Sequence, residues 1–297
     1  CNSGWYGTNG GSCTQCPIGS WCSDGVKNTC SDFSSSAVDS GAITDCKCNA
    51  GYTGDDGGSC SACPVGTYKS GTGSADCTSC GSNTYSDAVG ATEKSTCLGC
   101  SAGSASPVGS DDIKDCTCNA GWTGTDGGSC SRCLAGTYKV GTGSADCSIC
   151  DANTWSATVG ATQAATCQSC VMNAASPVGS GAITECTCNA GYTGADGTTC
   201  TACVAGTYKT TTGSADCTLC GEDQFSSTVS ATQENTCNKC PANTVSERGN
   251  NARIGCTCKI GWYGPDGGAT CTACPAGQYK VVGGSSSCSR CESGKYS

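Results

Sequence analysis

The sequence predicts a small disulfide-rich fold, an extended rod of tandem cysteine loops with sparse short β-strands and almost no helix. Three observations carry this expectation. The chain has 35 cysteines in 297 residues, above the roughly 8–10% that marks a disulfide scaffold. Those cysteines recur on one period, with Cys48, Cys118, Cys188 and Cys258 each opening a copy of the same cassette. The residues that build apolar cores are nearly missing, with two Phe, one Met and only Leu98, Leu134 and Leu219 as leucines, while glycine reaches 45. Cross-links must then supply what burial cannot.

Taken in order, the elements are a shortened first repeat over 1–46, repeats over 47–116, 117–186 and 187–256, and a truncated repeat over 257–297. Each full repeat contains four cysteine-opened loops. The motifs CNAGYTG at Cys48, CPVGTYK at Cys63, CGSNTYS at Cys80 and CSAGSAS at Cys100 place Gly or Asn at the third position after the opening cysteine. Each opener has a following cysteine positioned to close its loop. This predicts Cys48–Cys60, Cys63–Cys77, Cys80–Cys97 and Cys100–Cys116 in the first full repeat. The next repeat gives Cys118–Cys130, Cys133–Cys147, Cys150–Cys167 and Cys170–Cys186. The one after it gives Cys188–Cys200, Cys203–Cys217, Cys220–Cys237 and Cys240–Cys256. The shortened repeat gives Cys1–Cys13, Cys16–Cys22 and Cys30–Cys46, and the last gives Cys258–Cys271 and Cys274–Cys288. Cys291 is left over, opening CESGKYS where the chain stops before a mate appears.

Eight cysteines allow 105 pairings. A second arrangement crosses the two-residue gaps, joining Cys60 to Cys77 and Cys63 to Cys80. A third reading makes Cys60, Cys63, Cys77 and Cys80 a four-thiolate zinc site, because two CxxC pairs approach zinc-ribbon spacing. Against zinc stand the turn-rich flanks GDDGGSC and GTGSADC and the number of metals that three copies would require. No metal and no cofactor is expected.

Cysteine used this densely belongs to an oxidising, extracellular compartment. The formal charge of −9, with no run of Lys or Arg long enough to follow a phosphate backbone, argues against nucleic acid. No apolar stretch approaches 18 residues, so no membrane span is expected. Cys1 begins inside a repeat, as a mature segment of a longer chain would. Histidine is absent, which removes the usual base near neutral pH, and a chain without a core has few places to desolvate a carboxylate or lysine. No catalytic residue is assigned and no enzyme is expected.

Within the loops, turns are expected at Asp56-Gly57, Asp126-Gly127, Asp196-Gly197 and Asp266-Gly267. Aromatics occupy equivalent positions: Tyr52, Trp122, Tyr192 and Trp262 in the first loop, Tyr68, Tyr138, Tyr208 and Tyr279 in the second, Tyr85, Trp155 and Phe225 in the third. They are expected to cover neighbouring disulfides as small cores between loops; a ladder of rings stacking on sugars is the alternative. Lys69, Lys139, Lys209 and Lys280 follow the second-loop tyrosines and are read as solvated charges in an evenly spaced stripe. Asp55 and Asp56 invite a calcium reading, yet no repeat assembles the oxygen ligands that calcium takes. Asn-x-Ser/Thr is absent, while Ser and Thr offer sites for O-linked sugar.

CNAGYTG, DGGSC, CPVGTYK and GTGSADC resemble the epidermal-growth-factor-like and ephrin-receptor-like repeats of large surface proteins of algae and protists. The resemblance covers essentially the whole chain. Long arrays of near-identical units look most like mastigoneme proteins, the subunits of flagellar hairs, and the loops are also similar to those of tumour-necrosis-factor-receptor modules. The resemblance implies a structural filament subunit at the cell surface that self-assembles or assembles with a second filament glycoprotein. The reading from a different class is the ectodomain of a receptor or adhesion protein, or a coat antigen. Divergence between repeats is concentrated in the fourth loop, and the copy around Arg248 and Arg253 departs furthest.

Overall fold

The computed structural model describes residues 1–295; Tyr296 and Ser297, which end the CESGKYS motif and the repeat expected over 257–297, lie outside the described residues. Among the described residues there are seventeen two-stranded antiparallel sheets and no α-helix. All but one are pairs of two-residue strands, so the fold is the small disulfide-rich repeat expected from composition.

One rule generates almost every sheet. The fourth and fifth residues after an opening cysteine pair with the two residues after the closing cysteine, as in Tyr52 with Ala62 and Thr53 with Ser61. The same register joins Tyr68 to Thr78 and Tyr85 to Leu98. The two residues inside each CxxC are therefore a return strand, which is why that gap is two residues long. In the fourth loop Ser104 pairs with Cys118 and Ala105 with Thr117. There the second residue of the return strand is itself the next opening cysteine, and the spacing contracts to Cys-x-Cys.

Successive loops are joined at the third residue after each opener. Gly51 has φ 80° and Asn83 has φ 65°, the left-handed conformation that Gly and Asn adopt at least cost. Turned this way, the Gly51 carbonyl accepts from Cys63 N at 2.8 Å while its N–H donates to Lys69 O at 2.8 Å. Gly66 and Asn83 repeat both bonds with the loops that follow them. The contact also reaches one loop further than sequence neighbours: a Cβ on Gly51 would lie 2.3 Å from the Gly90 carbonyl, two loops on. Each loop therefore packs against more than the adjacent one, because the hub glycine leaves room for a second backbone.

The shortened first repeat departs from the rule at Cys16. Its second loop is a four-residue hairpin, Ser20–Ser23 against Val26–Thr29, turned by Asp24 at φ 54° and Gly25 at φ 77°. Two consecutive left-handed residues make the type I′ turn that Asp-Gly favours. Seven single turns of 3₁₀ helix, such as Ile43–Asp45 and Lys94–Thr96, precede closing cysteines of third and fourth loops. The closing residue's own N–H ends the turn, as Cys46 N does on Ile43 O at 3.0 Å.

The chain divides into two compact units. One comprises Cys1–Cys133, Tyr138–Ser148 and Val159–Gln163, and the other Leu134–Thr137, Ile149–Thr158 and Ala164–Ser297. Each contains its own disulfides complete. In both, the interior is sulfur: the buried apolar residues are cysteines together with Ala91, Ala161 and Ala231. Large aliphatics lie outside, with Leu134 at 73% and Met172 at 83% of full exposure.

Candidate functional site: the disulfide ladder and its buried lysines

Seventeen disulfides join consecutive cysteines from Cys1–Cys13 through Cys274–Cys288. Cα–Cα separations run from 5.5 to 5.9 Å, inside the range a disulfide spans without moving the backbone. Cys60 pairs with Cys48, and Cys77 with Cys63; the crossed arrangement is not the one adopted. The four cysteines of the zinc reading are each consumed by a bridge, and the bridged sulfurs are not thiolates. Cys291 has no disulfide partner among the described residues and is half-buried.

The lysines correct the sequence reading. Lys69, Lys139, Lys209 and Lys280 are not a solvated stripe; they are 4%, 5%, 3% and 6% exposed. Each sits six residues after its opener. Its Nζ donates to the carbonyl of the first-loop aromatic, Tyr52, Trp122, Tyr192 or Trp262, at 2.7–2.9 Å, and also to that of Gly73, Gly143, Gly213 or Gly284. A buried ammonium must have its donors satisfied, and two backbone carbonyls supply acceptors. Propensity and hydropathy both place lysine outside, which is why the expectation failed. The signal that could have found it is the recurrence of lysine at one fixed loop position.

The same position is a brace in fourth loops too, though not in third loops, where the buried Ser86 hydroxyl has no hydrogen-bond partner among the described residues. In fourth loops it is serine, and Ser36, Ser106 and Ser176 donate to Ser20 O, Thr84 O and Thr154 O. These acceptors occupy the same place in the preceding loop as Tyr52 does. In the shortened repeat the position is Cys22, which spends its side chain on the bridge to Cys16. Its backbone keeps the role: Gly4 N donates to Cys22 O as Gly51 N does to Lys69 O.

Beside the brace, Asp56, Asp126, Asp196 and Asp266 each enclose an Oδ1 that has no hydrogen-bond partner. A Cβ on Gly73 would lie 4.0 Å from Asp56 Oδ1, so the enclosed carboxylate and the ammonium flank the same glycine.

Tyr52, Trp122, Tyr192 and Trp262 are half-buried, as are Tyr68, Tyr85, Tyr138, Trp155, Tyr208 and Phe225, whereas Tyr279 is 44% exposed. None is as enclosed as the buried cysteines such as Cys48, Cys63 and Cys80, so rings flank the sulfur interior and do not form cores of their own. Two of them are covered by local additions: Phe33 stacks on Tyr52 with centroids 4.3 Å apart and planes 7° apart, and the Arg132 guanidinium sits 5.1 Å from the Trp122 ring. Phe33 adopts φ 62°, uncommon for a bulky residue, where the corresponding residues are Gly103, Asn173 and Asn243.

Amine labelling of the native protein checks this arrangement. Lys27, Lys47, Lys94, Lys114, Lys239 and Lys259, all exposed, are expected to react, and Lys69, Lys139, Lys209 and Lys280 to stay protected until the protein is reduced. Equal labelling of both groups, read by peptide mass spectrometry, contradicts the buried brace.

The class defined by these features is an extracellular, disulfide-stapled repeat segment, since bridges in this number persist only in an oxidising compartment. No helix among the described residues is long and apolar enough to cross a membrane. Residues 51–97, 191–237 and 261–297 match the family described as tyrosine-protein kinase ephrin type A/B receptor-like. The matched stretches begin at the hub glycines Gly51, Gly191 and Gly261. Less than half the chain is covered, so these stretches are similar to that family's cysteine-rich repeats. No curated protein matches the chain.

Proposed function

We propose that the chain is a structural, non-enzymatic subunit of an extracellular filament of the flagellar-hair kind, a disulfide-stapled repeat array that associates with further copies or with a second filament glycoprotein. The observation that supports this most is the equivalence of the repeats at atomic detail. Gly51, Gly121, Gly191 and Gly261 each donate to the backbone of the brace lysine at 2.8–3.0 Å, and each brace lysine closes on the same two carbonyls. Units this alike present equivalent surfaces at a constant sequence interval, as an assembling chain requires.

Negative-stain microscopy of the native chain across a concentration series tests the reading. Filaments that lengthen with concentration are the expected result, and dispersed particles at every concentration would defeat it. A receptor or adhesion ectodomain is the second reading, favoured by the description of the matched family and by the departure of the loop 240–256 from its sister loops. A binding ectodomain would hold ligand without self-association, which the same concentration series distinguishes.

A further inference from the structure

The fourth loops differ from repeat to repeat, and residues 240–256 reverse the charge of their sister loops. Loop 30–46 carries Asp32, Asp39 and Asp45 with no basic residue, loop 100–116 carries Asp111, Asp112 and Asp115 against Lys114, and loop 170–186 carries Glu185 alone. Loop 240–256 carries Arg248 and Arg253 against Glu247, in a chain of charge −9. Both arginines replace exposed aliphatics. Arg248 stands where Val38, Val108 and Val178 are 52–66% exposed, and Arg253 where Ile43, Ile113 and Ile183 are 39–50% exposed.

The change is built into the loop. Its sisters place an acid just before the closing cysteine, and Asp45 Oδ2 accepts from Gly41 N at 2.8 Å and Ala42 N at 2.9 Å. Asp115 makes the same bonds to Asp111 N and Asp112 N, and Glu185 makes one to Gly181 N. Here Gly255 replaces the acid, and a Cβ on it would lie 2.2 Å from Asn250 Oδ1. Asn250 fills that space and accepts from Ala252 N at 3.4 Å, doing the carboxylate's work without its charge. The recess beside it, lined by Glu247, Arg248, Asn250, Asn251 and Gly255, opens to about 680 Å³, against about 390 Å³ for its counterpart at Asp45. Arg253 leans on Gly268 O at 3.4 Å, and Arg248 has no hydrogen-bond or ion-pair partner among the described residues.

We infer that loop 240–256 receives the acidic fourth loop of a second copy of this chain, Arg248 pairing with Asp111. This rests on the filament reading and names its junction. Asp111 is exposed and its carboxylate has no partner among the described residues, whereas Asp112 and Asp115 are committed to backbone N–H groups. The two loops are different places on one chain, so the contact is heterologous: each copy that donates its acidic loop still offers its basic one, and addition continues. Complementary charge of this kind sets partner choice and register.

Sedimentation velocity on the full chain, at low salt and at about 0.5 M salt where surface charges are screened, reads the proposal. Arg248→Glu and Asp111→Arg are each expected to raise the concentration needed for association by roughly tenfold at low salt, and the double variant Arg248→Glu/Asp111→Arg to restore it. Arg248→Val, which carries the sister loops' residue and so keeps the fold, is expected to weaken association as well. Association of the single variants equal to that of the native chain overturns the junction and leaves the filament reading standing. Weakening that the double variant does not restore overturns the pairing with Asp111. A native chain that stays monomeric at every concentration overturns both.

Discussion

Reduction alone, with no chelator present, is expected to unfold both units of the protein, and chelation alone to leave them intact. The buried apolar set contains nothing larger than cysteine, so the broken bridges leave no hydrophobic interior behind. In the chain-entropy account a bridge closing a loop of about 15 residues contributes roughly 3 kcal/mol by restricting the unfolded chain, and the loops here span 12 to 17 residues, apart from the six-residue Cys16–Cys22. The two-residue strands cannot persist without them, since isolated hairpins are marginal in water even when longer. Proton chemical-shift dispersion and a thiol count, followed together through a reductant titration, are expected to change in parallel. Dispersion retained after all bridges are open contradicts a sulfur interior. Replacing the Cys80–Cys97 pair by serines is expected to cost about 3 kcal/mol, with faster exchange concentrated in residues 80–97.

The parts of the fold legible in the sequence are those set by covalent spacing. A fixed period and an opener followed by its closer pointed to the sequential ladder, beside a crossed arrangement that the CxxC spacing also allowed; the return strand that holds each closer next to its own loop is what separates the two. The recurrence of Gly or Asn at the third loop position was visible for the same reason, although Phe33 and Asp223 take that left-handed position in two loops. Three features besides the buried lysine were not. The residues inside CxxC read as a gap and turn out to be return strands, because two-residue strands carry no periodicity that a window can detect. Phe33 occupies a left-handed position by leaning on Tyr52, a tertiary compensation that local propensity opposes. The exchange of an acid at position 255 for an amide at position 250 joins residues that only the folded loop places together.

The largest departure, the buried lysine, leads to the second expected result. Lys209→Met is expected to loosen the joint between the loops opened by Cys188 and Cys203 while leaving every bridge closed. Methionine has the length to fill the channel, so the loss is electrostatic and directional: Tyr192 O and Gly213 O keep their burial and lose a charged donor. Removing one partner of a buried, charge-assisted hydrogen bond costs about 2 kcal/mol, equivalent to roughly thirtyfold faster local exchange. The place to read it is Gly191 N–H, which donates to Lys209 O at 2.9 Å, with the same amide at Gly51 and Gly121 serving as unaltered copies in one molecule. Replacing a buried ion by an apolar side chain is sometimes neutral, but that outcome needs both partners removed, and here backbone carbonyls cannot be. Lys94→Met, at an exposed lysine, is the comparison and is expected to change nothing. Unchanged exchange at Gly191 in the Lys209 variant would mean that the ammonium is held by the loops without helping to hold them.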